Sequence, residues 1–140
     1  LYQAIKAKDR HDRFRIFHPF TANGTSVYVH AKILIVDDQY LRVGSSNFNN
    51  RSLGFDSECD VALDASGSSN KDVAEKIAFR RNDLLAEHLG VGVNEVAAAM
   101  ERTGSLIDTI GTLGKRGRRL RPYETPDVDA VEAWLGRPRT

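Results

Sequence analysis

His30 and Lys32 stand two residues apart in the run VYVHAKILIV, and Asn47 closes the tetrapeptide Gly44-Ser45-Ser46-Asn47. These side-chain types suit a phosphate. An imidazole can attack phosphorus and leave a phosphoramidate that water or an alcohol resolves. A lysine ammonium neutralises the non-bridging oxygens as a point charge, and an asparagine amide adds a directional donor to the same oxygens. Neutralising charge as it develops on oxygen is what makes a phosphodiester reactive. A second acid or base is still needed to protonate the leaving alkoxide. No second His-x-Lys pair occurs in the chain.

The elements that must position these groups can be read outward from them. Alternation over residues 27–36 puts His30, Lys32 and Leu34 on one strand face and Val29, Ala31, Ile33 and Ile35 on the other. His30 and Lys32 are then on the order of 7 Å apart along the chain, which fits one phosphate held between them. Residues 33–36 are apolar on both faces, which predicts a central, buried strand. Asp37-Asp38-Gln39 turns the chain, residues 40–43 return beside it, and the hairpin carries Asn47 back toward His30.

Before this stretch, residues 1–7 read as a short helix and residues 14–17 as a strand that His18-Pro19 ends, because proline cannot donate to a ladder. Residues 21–26 form a turn at Asn23-Gly24. After it, residues 49–55 read as a loop and residues 58–63 as a strand. Residues 65–70 form a surface loop in which Ser69 or Asn70 caps a helix over residues 72–89, with Gly90 as its stop. Residues 93–102 form a second helix closed by Gly104. Ser105 caps a third that ends near Gly114. A basic run at residues 115–121, an extended segment around Pro122 and Pro126, and a short helix over residues 128–135 complete the chain. Strands precede helices, so the fold class is α/β, a β-sheet flanked by helices.

At 140 residues the chain is about one domain, and 41% hydrophobic with 28% charged residues is ordinary for a globular protein with a core. A net charge of +1 neither selects nor excludes an anionic partner. The single cysteine, Cys59, forms no intrachain disulfide, which suits a reducing compartment. No apolar run reaches the roughly 20 residues that span a bilayer. Lys6, Lys8 and Asp9 interrupt any signal-peptide pattern, and the leading leucine reads as a piece of a longer chain. The expected location is the cytoplasm or the membrane periphery.

The spacing H-x-K-x4-D-x6-G-S-x-N over His30, Lys32, Asp37, Gly44, Ser45 and Asn47 resembles the HKD signature of the phospholipase D superfamily. The words IVDD, GSSNFNNRS and DSE are also similar to those enzymes, most of all to the second, C-terminal signature of two-motif members. The resemblance implies the C-terminal lobe of a pseudo-symmetric bilobal enzyme. Residues 1–90 would be a catalytic half carrying one signature, and residues 91–140 a helical and basic extension. His30 would be one of two catalytic histidines, one attacking phosphorus while the other acts as general acid and then base. Lys32, Asn47 and Ser45 would bind the phosphoryl oxygens. Glu58 would hold the imidazole in its tautomer and orientation. Asp37 and Gly44 would be structural, and no metal or other cofactor is needed for the family's chemistry. The implied substrate is a phospholipid, the implied activity hydrolysis or transphosphatidylation. The implied partner is the N-terminal half of the same polypeptide, with peripheral membrane contact.

Other readings stand beside these. Ser45 could equally be a turn hydroxyl bonding the backbone, Asp37 a turn residue, and Glu58 a strand-end carboxylate facing water. A single-motif homodimer acting as a nuclease would also complete the site, although nucleic acid is the less favoured partner; a non-catalytic binding domain that keeps the fold is the third reading. The basic run lacks interleaved aromatics and reads as a solvated tail rather than a lipid or nucleic-acid contact. Cys59 reads as a core residue. His11, His18 and His88 lack metal-ligand spacing.

Overall fold

A computed structural model of the chain describes residues 2–67, 71–114 and 119–124. The elements are α1 (Tyr2–Lys6), β1 (Phe17–Phe20), β2 (Lys32–Val36), β3 (Tyr40–Gly44), α2 (Asn50–Gly54), β4 (Asp60–Asp64), α3 (Lys71–Leu89), α4 (Val93–Thr103), α5 (Leu106–Leu113) and β5 (Arg119–Pro122). The described residues fall into two compact units, residues 2–18 with 121–124, and the described part of residues 19–120. β1 pairs with β5 in a two-stranded sheet.

The larger unit carries the whole His30–Glu58 constellation. Its sheet is antiparallel in the order β2-β3-β4. Lys32 pairs with Gly44, and Gly44 in turn with Asp60. The β2–β3 turn places Asp37 at φ 49° and Asp38 at φ 54°, and Gln39 N donates to Val36 O at 3.0 Å. Two successive residues at positive φ match the right-handed twist of the flanking strands, and aspartate tolerates that region better than most side chains. Strand alternation gives the sheet one face with Ile33, Ile35, Leu41 and Leu63 and another with Lys32, Arg42, Gly44 and Asp60. Leu41 and Leu63 share a groove with Ile77 of α3, and Ile33 and Ile35 share one with Leu84 and Leu85. Both Asp38 carboxylate oxygens accept from Arg81 Nη1, which ties the hairpin turn to α3.

The buried core lies in the three helices, with Ile77, Ala86 and Leu89 from α3, Val96 and Ala99 from α4, and Ile110 from α5. Gly90 at φ 67° ends α3, with Val91 N donating to Ala86 O, and Gly104 at φ 62° ends α4. Both are left-handed caps where a side chain would be strained. Ser105 caps α5 by accepting from Asp108 N at 3.2 Å. Thr109, fully buried, satisfies its hydroxyl with Thr103 Oγ1 and Met100 Sδ. In the smaller unit, the Asp9 carboxylate accepts from the backbone of Arg13 and Phe14. Tyr2 packs its ring against Phe14 and Tyr123, and His18 stacks on Tyr123.

Several expectations need correcting. The strand expected at residues 14–17 is instead β1, which runs through Pro19. A two-stranded sheet has an open edge where a missing N–H costs nothing, and Pro19 O still accepts from Val27 N at 2.9 Å. The strand expected over residues 27–36 forms ladder only at Lys32–Val36, so His30 precedes it. Nor is β2 central and buried. Among the described residues it is an edge strand, with Ile33 39% exposed and Leu34 and Val36, on the face opposite α3, 45% and 44% exposed. Residues 49–55 hold the one-turn helix α2, which forms because Asn49 Oδ1 accepts from Ser52 N at 2.9 Å. Cys59 is exposed rather than core; it precedes β4 with its backbone tied to Ser45. Arg119 and Arg121 of the basic run lie in β5, and both are exposed to solvent. Residues 115–118, the Ser69 or Asn70 cap, Pro126 and the helix at residues 128–135 lie outside the described residues.

Candidate active site

The end of the sheet opens into a cleft of about 480 Å³ lined by His30, Lys32, Gly44, Ser45, Asn47 and Glu58 together with Ala31, Ile33 and Val43. Three segments build it. His30 arrives on the extended stretch before β2, and Lys32 opens β2 itself. Ser45 and Asn47 follow β3 in the tight turn that leaves Gly44. Glu58 comes from the stretch leading into β4.

Lys32 Nζ donates to His30 O at 2.8 Å and lies 3.0 Å from His30 Nε2. The ammonium only donates, so the tautomer of the ring decides whether Nε2 accepts from it. Tyr28, almost fully exposed, stacks on the imidazole with centroids 6.0 Å apart. The imidazole and the ammonium therefore stand side by side in an open cleft.

Glu58 makes its hydrogen bonds elsewhere. Ser45 Oγ donates to Glu58 Oε2 at 2.5 Å, and the Ser52 hydroxyl of α2 joins the same carboxylate. These two donors, helped by the positive charge of Lys32, hold the Glu58 carboxyl below its ordinary value. His30 Nε2 lies 3.0 Å from Lys32 Nζ, and the Glu58 carboxylate bonds the serines. Ser45 Oγ also accepts from Cys59 N at 3.0 Å, so the hydroxyl links the turn, the carboxylate and the next strand. Asp37 lies at the opposite end of β2 from Lys32, in the hairpin turn.

Three residues in the site's surroundings have no counterpart in the sequence reading. Ser46 is buried, and its hydroxyl donates to Asp60 Oδ2. Asp60 stands opposite Gly44 across the ladder. Ser52 is buried on a helix that was expected to be a loop.

A family model described as Phospholipase D matches residues 4–107. The chain belongs to the phospholipase D family. Curated relatives of the family agree. Phospholipase D alpha 1 from Spuriopimpinella brachycarpa is 38% identical over 107 residues, covering 74% of this chain and 13% of the relative. Phospholipase D zeta 2 from Arabidopsis thaliana is 36% identical over 91 residues, 59% of this chain and 9% of the relative. Phospholipase D from Phytophthora infestans is 26% identical over 118 residues, 71% of this chain and 6% of the relative. The chain thus spans about a tenth of the length of the phospholipase D proteins it matches. No solved structure matches it significantly. Among the described residues no helix is long and apolar enough to cross a membrane.

Proposed function

We propose that this chain is one half of a phosphodiesterase site that hydrolyses or transphosphatidylates phospholipids through a phosphohistidine at His30. The observation that carries the reading is the 3.0 Å approach of Lys32 Nζ to His30 Nε2, in a cleft that Ser45, Asn47 and Glu58 also line. His30 Nε2 attacks phosphorus, forming the P–N bond while the bond to the leaving oxygen breaks. Lys32, Asn47 and Ser45 hold the non-bridging oxygens as charge builds on them. Glu58, kept ionised by its serine partners, sets the electrostatics beneath the imidazole and orients it once substrate draws Lys32 away. Water or an alcohol then displaces His30 from phosphorus and gives up its proton to a base.

The acid that protonates the leaving oxygen has no counterpart in this cleft. In our reading it is a second histidine, supplied by the N-terminal half of the same polypeptide. Residues 1–90 then act as the catalytic half and residues 91–140 as its extension, with substrate taken from a membrane surface. Asp37 and Gly44 serve the backbone, and the chemistry runs without metal or other cofactor. A single-motif homodimer would supply the histidine from a second copy.

The test is His30→Ala in the whole polypeptide, with phosphatidylcholine vesicles as substrate. Turnover should fall by about 10³-fold or more, and denaturing quench at alkaline pH, where the acid-labile P–N bond survives, should trap a phosphohistidine in the parent protein only. Retained turnover, or a trapped phosphoryl group on another residue, ends this reading.

A further inference from the structure

We propose that Asp60 is a positioning residue for the phosphate-binding turn, a carboxylate clamp that aims Ser45 and Asn47 into the cleft. The inference rests on the phosphate-handling reading above and extends it to residues that do not touch the cleft.

The turn Gly44-Ser45-Ser46-Asn47 has no secondary structure of its own to fix it. Ser46 points inward and is 6% exposed, whereas Ser45 and Asn47, on either side, line the cleft. What holds Ser46 inward is Asp60. The Ser46 hydroxyl donates to Asp60 Oδ2, and Ser46 N donates to Asp60 Oδ1 at 3.3 Å. Arg42, on the same sheet face, sets a positive charge 3.9 Å from the carboxylate. Both side chains are about three-quarters covered, at 26% and 22% exposed, so the charges are only partly screened.

Gly44 is the opening through which the clamp reaches. A Cβ added there would overlap Asp60 Oδ1 and stand 2.5 Å from Cys59 O. The carboxylate crosses directly over Gly44 to meet Ser46. Gly44 is not at positive φ here, so this close approach, rather than backbone freedom, explains the glycine.

Amide hydrogen exchange and phosphate binding in the 140-residue chain test the proposal. In Asp60→Ala, exchange at Ser45, Ser46 and Asn47 should rise about tenfold or more while Ile35 and Leu41 in the β2–β3 ladder are unchanged. Affinity for inorganic phosphate, followed by shifts of the Asn47 side-chain amide, should drop by a similar factor. Ser46→Ala removes one arm only and should give a smaller rise at the same three amides. Unchanged exchange at these positions overturns the clamp. So does an equal rise throughout the ladder, which would mark simple loss of fold stability. A wild-type chain that ignores phosphate, with the exchange pattern intact, instead overturns the phosphate reading on which the positioning role depends.

Discussion

In the cleft one imidazole stands against one ammonium. In the proposed reaction Lys32 neutralises a phosphoryl oxygen beside the imidazole, with its Nζ 3.0 Å from His30 Nε2. Lys32→Met should therefore lower turnover of the whole polypeptide by about 10²–10³-fold, and Asn47→Ala by about 10²-fold, mostly in kcat. An effect confined to KM would mean that these groups bind ground state and transition state alike. Asp60 carries a pH consequence. Its carboxyl is held below the ordinary value by the Ser46 hydroxyl first, then by the Ser46 amide and the Arg42 charge. A carboxyl lowered on folding contributes stability that is complete above its unfolded value of 3.8 and lost as pH falls through the folded one. Urea midpoints should thus decline below about pH 4, and Asp60→Asn should flatten that decline.

Short elements do much of the positioning. α2 is one turn long and stands on the Asn49 cap, so Asn49→Ala should cost about 1 kcal/mol and lower the melting temperature by roughly 2–4 °C. The β2–β3 turn is equally specific. Asp37→Val, placing a β-branched residue at φ 49°, should destabilise the hairpin, whereas Asp37→Gly should not, as thermal unfolding of both variants would show. The elements also show where local sequence stops being informative. The hairpin and the caps at Gly90, Gly104 and Ser105 were legible because each depends on a few neighbouring residues. His30, Lys32, Ser45, Asn47 and Glu58 were legible as one constellation, and the structure brings them into one cleft. The α2 turn was missed because the run NNRS reads as polar loop until the Asn49 side chain is seen to accept from Ser52. The Asp60 clamp was missed because it joins two strands through a hydroxyl, a pairing that no single strand's pattern contains.

At the scale of the molecule, apolarity does not reveal what covers it. Residues 33–36 read as buried on both faces, yet β2 stands at the sheet's edge among the described residues. The cleft is likewise one-sided, with one histidine and one lysine. Hydrolysis of a soluble chromogenic phosphodiester by the isolated chain should accordingly be absent at every concentration. A rate rising with the square of concentration, and lost in His30→Ala, would instead mean that two copies complete the site. The outer edge of β2 has a second meaning. Lys-Ile-Leu-Ile-Val is a short stretch of high strand propensity, without proline or glycine, and among the described residues no strand pairs with its outer edge. Such a seam can template its own kind. Concentrated solutions of the isolated chain should lengthen into fibrils with the roughly 4.8 Å meridional repeat of stacked strands, and a lysine in place of Leu34 should keep them clear.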